Sequence, residues 1–118
     1  MSIKIERINS EMAKTISEIL ANETRDELMH TITITDVDTA KDLSVAKVFF
    51  TSLLNQDKKS LEKEVNEASD FVRKKVAEKM DLRQTPKLKF IYDESIEYGN
   101  KIEKILDEIH QEENSKLN

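Results

Sequence analysis

Residues 30–37 read HTITITDV and residues 44–53 read SVAKVFFTSL. Both runs are rich in β-branched residues and alternate, which predicts two strands. Ile32 and Ile34 fall on one face of the first, Thr33 and Thr35 on the other. In the second, Ala46, Val48 and Phe50 share a face, and Val45, Lys47, Phe49 and Thr51 take the opposite one. The linker DTAKDL is short and polar, so the strands are expected to be antiparallel neighbours. A third run at residues 87–92 alternates Leu88, Phe90 and Tyr92 against Lys87, Lys89 and Ile91.

Helical periodicity surrounds these strands. Ile5, Ile8, Met12, Ile16, Ile19 and Leu20 recur at the spacing of one helical face over residues 5–22, with Ser2 placed to cap it. A stripe of Leu61, Val65, Ala68, Val72, Val76 and Met80 predicts a long helical region over residues 57–80, either continuous or split in two. Thr85-Pro86 breaks it. A last helix is expected from Glu94 or Ser95, with Ile102, Ile105, Leu106 and Ile109 as its stripe and Gly99 inside it. Residues 111–118 carry no stripe and read as a disordered tail behind a single domain at 1–110. Strands with one apolar and one polar face imply an α+β fold, with helices on one side of a three-stranded sheet.

Composition excludes several functions. The chain of 118 residues has no cysteine and one glycine. That removes disulfides, thiol catalysis, cysteine-bound zinc and glycine-rich nucleotide loops. No apolar stretch approaches the ~20 residues of a membrane span, and the opening MSIKIERINSEMAK is charged throughout, unlike a signal-peptide core. The two histidines, His30 and His110, have no catalytic partners nearby in sequence, so both read as structural. Asp36, Asp38 and Asp42 cluster in the hairpin connection, but an EF-hand loop from Asp36 would place Lys41 where glycine is needed and Lys47 where glutamate is needed. They read as turn residues. No enzyme, metal or cofactor is expected.

Charge is the informative feature. Net charge is −5, yet residues 71–89 hold Arg73, Lys74, Lys75, Lys79, Arg83, Lys87 and Lys89 against only Glu78 and Asp81. That segment is +5 and the remainder −10. Such a patch is either a solvated face or a local hold on a phosphate backbone. A helical wheel puts Val72, Val76, Ala77 and Met80 on the core side, along with Arg73, whose head must snorkel or pair with a carboxylate. Phe71, Lys74, Lys75 and Lys79 fall on the outer side. An aromatic among lysines suits splayed RNA bases, unless a bend near Ala68 turns Phe71 into the core. The sheet's second face (Thr33, Thr35, Lys47, Phe49, Thr51, Lys87, Lys89 and Ile91) is basic and polar, and is either another RNA surface or simply solvated.

The stretches ITITDVDTAKDLSVAKVFFTSL (32–53), LRQTPKLKFIYDES (82–95) and SIEYGNKIEKIL (95–106) together resemble the ribosome-binding factor A family. The resemblance implies a KH-like domain of the second type, ordered α-β-β-α-α-β-α, whose two middle helices meet at a kink. Other KH domains carry GxxG there, and this family usually has alanine, any residue, glycine. Here the residues are Ala68, Ser69 and Asp70. Asp70 in place of glycine is expected to act as an N-cap of the second helix. The family usually reads aspartate, proline, arginine after the first helix, whereas this chain has Asp26, Glu27 and Leu28. The resemblance further implies a monomeric, cytoplasmic, non-catalytic factor with no membrane or small-molecule partner. Its partner would be the free small (30S) ribosomal subunit and its RNA, in late assembly, 16S 5′-end maturation and growth in the cold. Without paired glycines, binding is expected to rest on cation–phosphate contacts and RNA shape. Phe71, Lys74, Lys75, Lys79, Arg83, Lys87 and Lys89 are the candidate contacts. A general RNA-binding module acting elsewhere, or a protein-interaction module, are the alternatives.

Overall fold

A computed structural model of the chain describes residues 2–54 and 57–95. The elements are α1 (Ser2–Asn22), α2 (Glu27–His30), β1 (Ile32–Thr39), β2 (Val45–Ser52), α3 (Lys58–Glu67), α4 (Ser69–Lys79) and β3 (Lys87–Tyr92). The sheet runs β1-β2-β3. β1 and β2 are antiparallel, as their short connection requires, and β3 is parallel to β2. A parallel pair needs a long crossover. Here α3 and α4 supply it, and with α1 they pack on one sheet face. Ile8, Met12, Ile16, Ile19 and Leu20 of α1 meet Ala46, Val48, Phe50, Leu88 and Phe90 of the sheet and Leu61, Val65, Val72 and Val76 of the crossover. The α+β architecture read from the periodicity is the one observed. Ser2 already belongs to α1, three residues before the expected start.

β1 departs from simple alternation. Ile34 pairs with Phe50 but Asp36 pairs with Phe49, so Thr35 is an extra, bulged residue. A bulge shifts the phase of every later side chain. Val37 and Thr39 therefore face the core, while Asp36 and Asp38 are exposed. Those two aspartates lie within the strand and not in the hairpin connection expected for them. Only Asp42 acts as a turn residue, accepting from the Ser44 N–H at 3.0 Å and from its hydroxyl at 2.7 Å. The displaced Thr35 hydroxyl donates to Asp93 at 2.5 Å, and the Ser95 hydroxyl and N–H also donate to that carboxylate. These donors hold Asp93 below the usual carboxylate range.

α2 is an element that the sequence periodicity does not announce. Asp26 caps it through the Leu28 N–H at 3.0 Å. His30 ends this helix and so lies ahead of β1, not in it. Its Nε2 lies 2.8 Å from the Thr24 carbonyl. A carbonyl only accepts, so Nε2 carries the proton. The ring staples the loop.

The kink is present without glycine. Ala68, at φ −92° and ψ 1°, both ends α3 and precedes α4. Asp70 is not the expected N-cap: it sits in the first turn of α4, and no side chain caps that helix. The break spans one residue, and the ladder runs almost unbroken through it, with Ala68 N–H to Val65 O and Val72 N–H to Ala68 O both at 3.1 Å. That leaves no extended residue from which Asp70 could cap. Ala77, expected on the apolar side, is exposed. Arg73 donates through Nε and Nη2 to the Thr85 carbonyl at 3.2 and 2.9 Å, a backbone acceptor where snorkelling or a carboxylate partner was expected. The contact fixes the loop into β3.

Both outer edges of the sheet are met by side chains. Asn66 of α3 gives Nδ2 to the Phe90 carbonyl and takes the Phe90 N–H on Oδ1, each at 2.9 Å. Glu62 accepts the Tyr92 N–H at 2.9 Å. On the other edge, Asn9 of α1 accepts the Thr39 N–H at 2.9 Å. Glu94 and Ser95 have helical backbone. The rest of the predicted last helix, with Gly99, its stripe and the tail, lies outside the described residues.

Two stability tests follow from these contacts. Asn66→Asp is isosteric but sets a carboxylate oxygen against the Phe90 carbonyl. It is expected to cost about 1–3 kcal/mol in urea denaturation, and an unchanged midpoint would show that the edge does not depend on the amide. Leu43 is buried yet left-handed, at φ 62°. Leu43→Gly and Leu43→Ala both lose the side chain, but only glycine relieves the backbone, so the glycine variant should be the more stable by about 1 kcal/mol. An alanine variant of equal stability would contradict this.

Candidate nucleic-acid interface

The break at Ala68 sets the rotation of α4. Val72 and Val76 face the sheet, and the opposite side of the helix faces solvent. Phe71 lies on that outer side at 42% exposure, so the bend does not turn it inward. Lys75, one helical turn on, places Nζ 5.8 Å from the Phe71 ring centroid. Lys74 is exposed beside them. An exposed ring against one cation with a second alongside offers a π-face for a base and charge for its phosphate.

The other cations of the segment are distributed differently. Lys79 reaches back to Glu23 at the end of α1, at 3.0 Å, and Lys75 lies 3.7 Å from Glu78. These are surface pairs, worth about 0–1 kcal/mol, and a phosphate can compete for either lysine. Arg83 is exposed in the loop after α4. It lines a groove of about 720 Å³ with Ile5, Ile8, Leu43 and Leu82 on its walls. Lys4 and Lys41 stand against Glu6, Asp38 and Asp81 around the same groove, so its charge is mixed. Lys87 and Lys89 are exposed on β3, pointing away from the helices, since Leu88 and Phe90 point toward them. The seven candidates therefore do not form one surface. Phe71, Lys74 and Lys75 share the outer side of α4, Lys79 turns toward the end of α1, Arg83 stands in the loop beyond, and Lys87 and Lys89 occupy the opposite face of the molecule.

On that opposite face Lys47 of β2 pairs in register with Lys89. Alternation alone places Lys47 on this face. Its adjacency to Lys89 depends on the register of a parallel pair, which no local pattern encodes. Ala68, Ser69 and Asp70 hold the kink. Ala68 and Ser69 are partly buried and Asp70 is exposed, so the junction presents one negative charge. Among the described residues no group of three or more histidine, cysteine, aspartate or glutamate side chains is arranged to hold a metal, and no helix is long and apolar enough to cross a membrane.

Comparison with known proteins gives a consistent result. A family profile described as ribosome-binding factor A matches residues 4–106. Ribosome-binding factor A of Staphylococcus carnosus (strain TM300) is 40% identical over 116 residues, covering 94% of this chain and 97% of the relative. That of Staphylococcus epidermidis is 41% identical over 112 residues, covering 93% and 96%. The crystal structure of ribosome-binding factor A from Thermus thermophilus superimposes with a TM-score of 0.66 at 17% identity, covering 75% of this chain and 93% of that one. A Thermus thermophilus RbfA homology model fitted into a cryo-EM map of a 30S–RbfA complex superimposes with a TM-score of 0.59 at 17% identity, covering 73% and 91%. The structures share the fold, and the sequence matches span nearly the whole chain: it belongs to the ribosome-binding factor A family.

Proposed function

We propose that this chain binds the free small ribosomal subunit through its RNA, with the outer side of α4 as the principal contact. Phe71 with Lys74 and Lys75 carries the reading: an exposed aromatic ring and two cations on an acidic protein. Membership of a family named for ribosome binding supports the partner, and a fold neighbour is described in a 30S complex. In this reading the chain acts as a cytoplasmic, monomeric, non-catalytic factor without cofactor. It assists late assembly and 5′-end maturation of 16S RNA, supports growth in the cold, and leaves before translation. Lys79 and Arg83 extend the contact. Asp70 keeps phosphate away from the kink, so the RNA lies toward Lys74 and Lys75.

The reading has a direct test. In sucrose gradients the protein should migrate with free small subunits and be missing from polysomes. Migration with polysomal messenger RNA would favour a general RNA-binding module. Changing Phe71→Ala, Lys74→Gln and Lys75→Gln together should weaken subunit binding and lower the log–log salt slope by about one unit per lost phosphate contact. Loss of stacking adds about 1–3 kcal/mol per base. A folded triple variant with unaltered affinity and slope would remove α4 from the interface.

A further inference from the structure

The parallel register of β2 and β3 creates a feature the α4 contact does not use. Lys47 and Lys89 are direct partners across the two strands, and Lys87 lies two residues along β3 on the same face. Adjacent strands are ~4.8 Å apart and alternate residues ~6.6 Å apart, so three ammonium groups share one small area. Like charges placed directly opposite each other destabilise a sheet. None of the three forms an ion pair with another described residue. The nearest acid in register is Asp38, which partners Lys47 from the β1 side. The open face is therefore graded: Asp36 and Asp38 along β1 and lysines along β2 and β3, with Phe49 and Ile91 half-buried in the next row, in register with Asp36.

We infer that this lysine triangle is a second phosphate-binding surface, and that one copy of the chain holds two RNA segments at once, one on α4 and one on the sheet. The inference rests on the α4 reading for its first segment. It follows from direction. Val72 and Val76 point from α4 into the core, and Leu88 and Phe90 point into it from β3. Phe71 with Lys74 and Lys75 thus faces one way and Lys47 with Lys87 and Lys89 the other. The whole thickness of the helix and sheet layers lies between them, so no straight length of backbone touches both. The α4 side has an exposed ring and suits an unpaired strand. The sheet side has three cations and no exposed ring, which suits the phosphates of a duplex, lying over β2 and β3 and away from Asp38.

A capture assay tests this. Biotinylated oligouridylate is fixed to beads, the protein is bound, and a fluorescent RNA hairpin is added. Wild type should retain the hairpin. Lys47→Gln, Lys87→Gln and Lys89→Gln together should keep oligouridylate binding within about twofold but drop hairpin capture at least tenfold, with a salt slope for the hairpin smaller by about three. Lys89→Gln alone, the mildest change, should lower capture severalfold and guards against a folding defect in the triple variant. Asp38→Asn should raise capture. A mixture of the α4 variant and the sheet variant should not restore it, since each copy then has a single working face.

Wild type that binds oligouridylate yet captures no hairpin would overturn the two-segment inference and leave the α4 reading standing. Failure to bind either RNA would remove both. Restored capture in the mixture would assign bridging to paired copies. Displacement of the hairpin by polyglutamate but not by excess unlabelled hairpin would assign the sheet face to an acidic protein.

Discussion

Parallel pairing of β3 with β2 is the constraint from which the molecule is arranged. A hairpin needs only a turn, but two parallel strands need the chain to travel back along the full length of the sheet. That return passes through α3 and α4, whose apolar stripes can be buried only against the sheet, so they take the same face as α1. One face of the sheet is then covered by helices. No described element covers the other. Phe90 and Phe50 pack edge to face at the centre of the covered side, with ring centroids 6.4 Å apart. Asn66 joins the crossover to the strand it delivers. Packing and hydrogen bonding thus agree on where β3 must lie.

The same constraint divides the charge. Of seven cations that are near neighbours in sequence, Arg73 turns inward and the other six end on differently directed surfaces, because a helix, a loop and a strand project their side chains in unrelated directions. Runs of charge read along a chain describe a surface only within a single element. Within α4 the spacing of Phe71 and Lys75 did predict neighbours, and the ring and the ammonium do meet. Across the boundary into β3 it did not. Net charge is an equally coarse guide: a chain at −5 overall still gathers Lys74 and Lys75 beside Phe71 on α4 and three lysines on β2 and β3, with Asp36 and Asp38 confined to the β1 side of that sheet face.

What could be read from sequence, and what could not, follows the same division between local and distant. The core stripe of α1, the alternation in β2 and β3, and the helical stripe of the crossover were legible because each depends on periodicity within one element, while that stripe alone left open whether the crossover was continuous or split. The family pattern placed the break at Ala68. The bulge at Thr35 was hidden, because HTITITDV alternates evenly up to the point where the pairing slips. The phase change shows only once Val37 has to be buried. The short α2 was hidden by its length, since one turn has no periodicity. The Asp70 cap failed for a reason sequence does not carry, namely that the ladder continues through the break. Arg73 was correctly sent inward, but its acceptor is a carbonyl twelve residues away, and backbone acceptors leave no mark on composition.

The side chains that occupy the sheet edges also restrict how anything can join this protein. An exposed strand edge invites a partner, or another copy, to extend the sheet by main-chain pairing. At Phe90, Tyr92 and Thr39 those main-chain groups are already engaged by Asn66, Glu62 and Asn9. Strand addition is closed at these positions, so recognition has to pass through side chains on the two broad faces. The same closure removes a template for self-association by main-chain pairing at these positions.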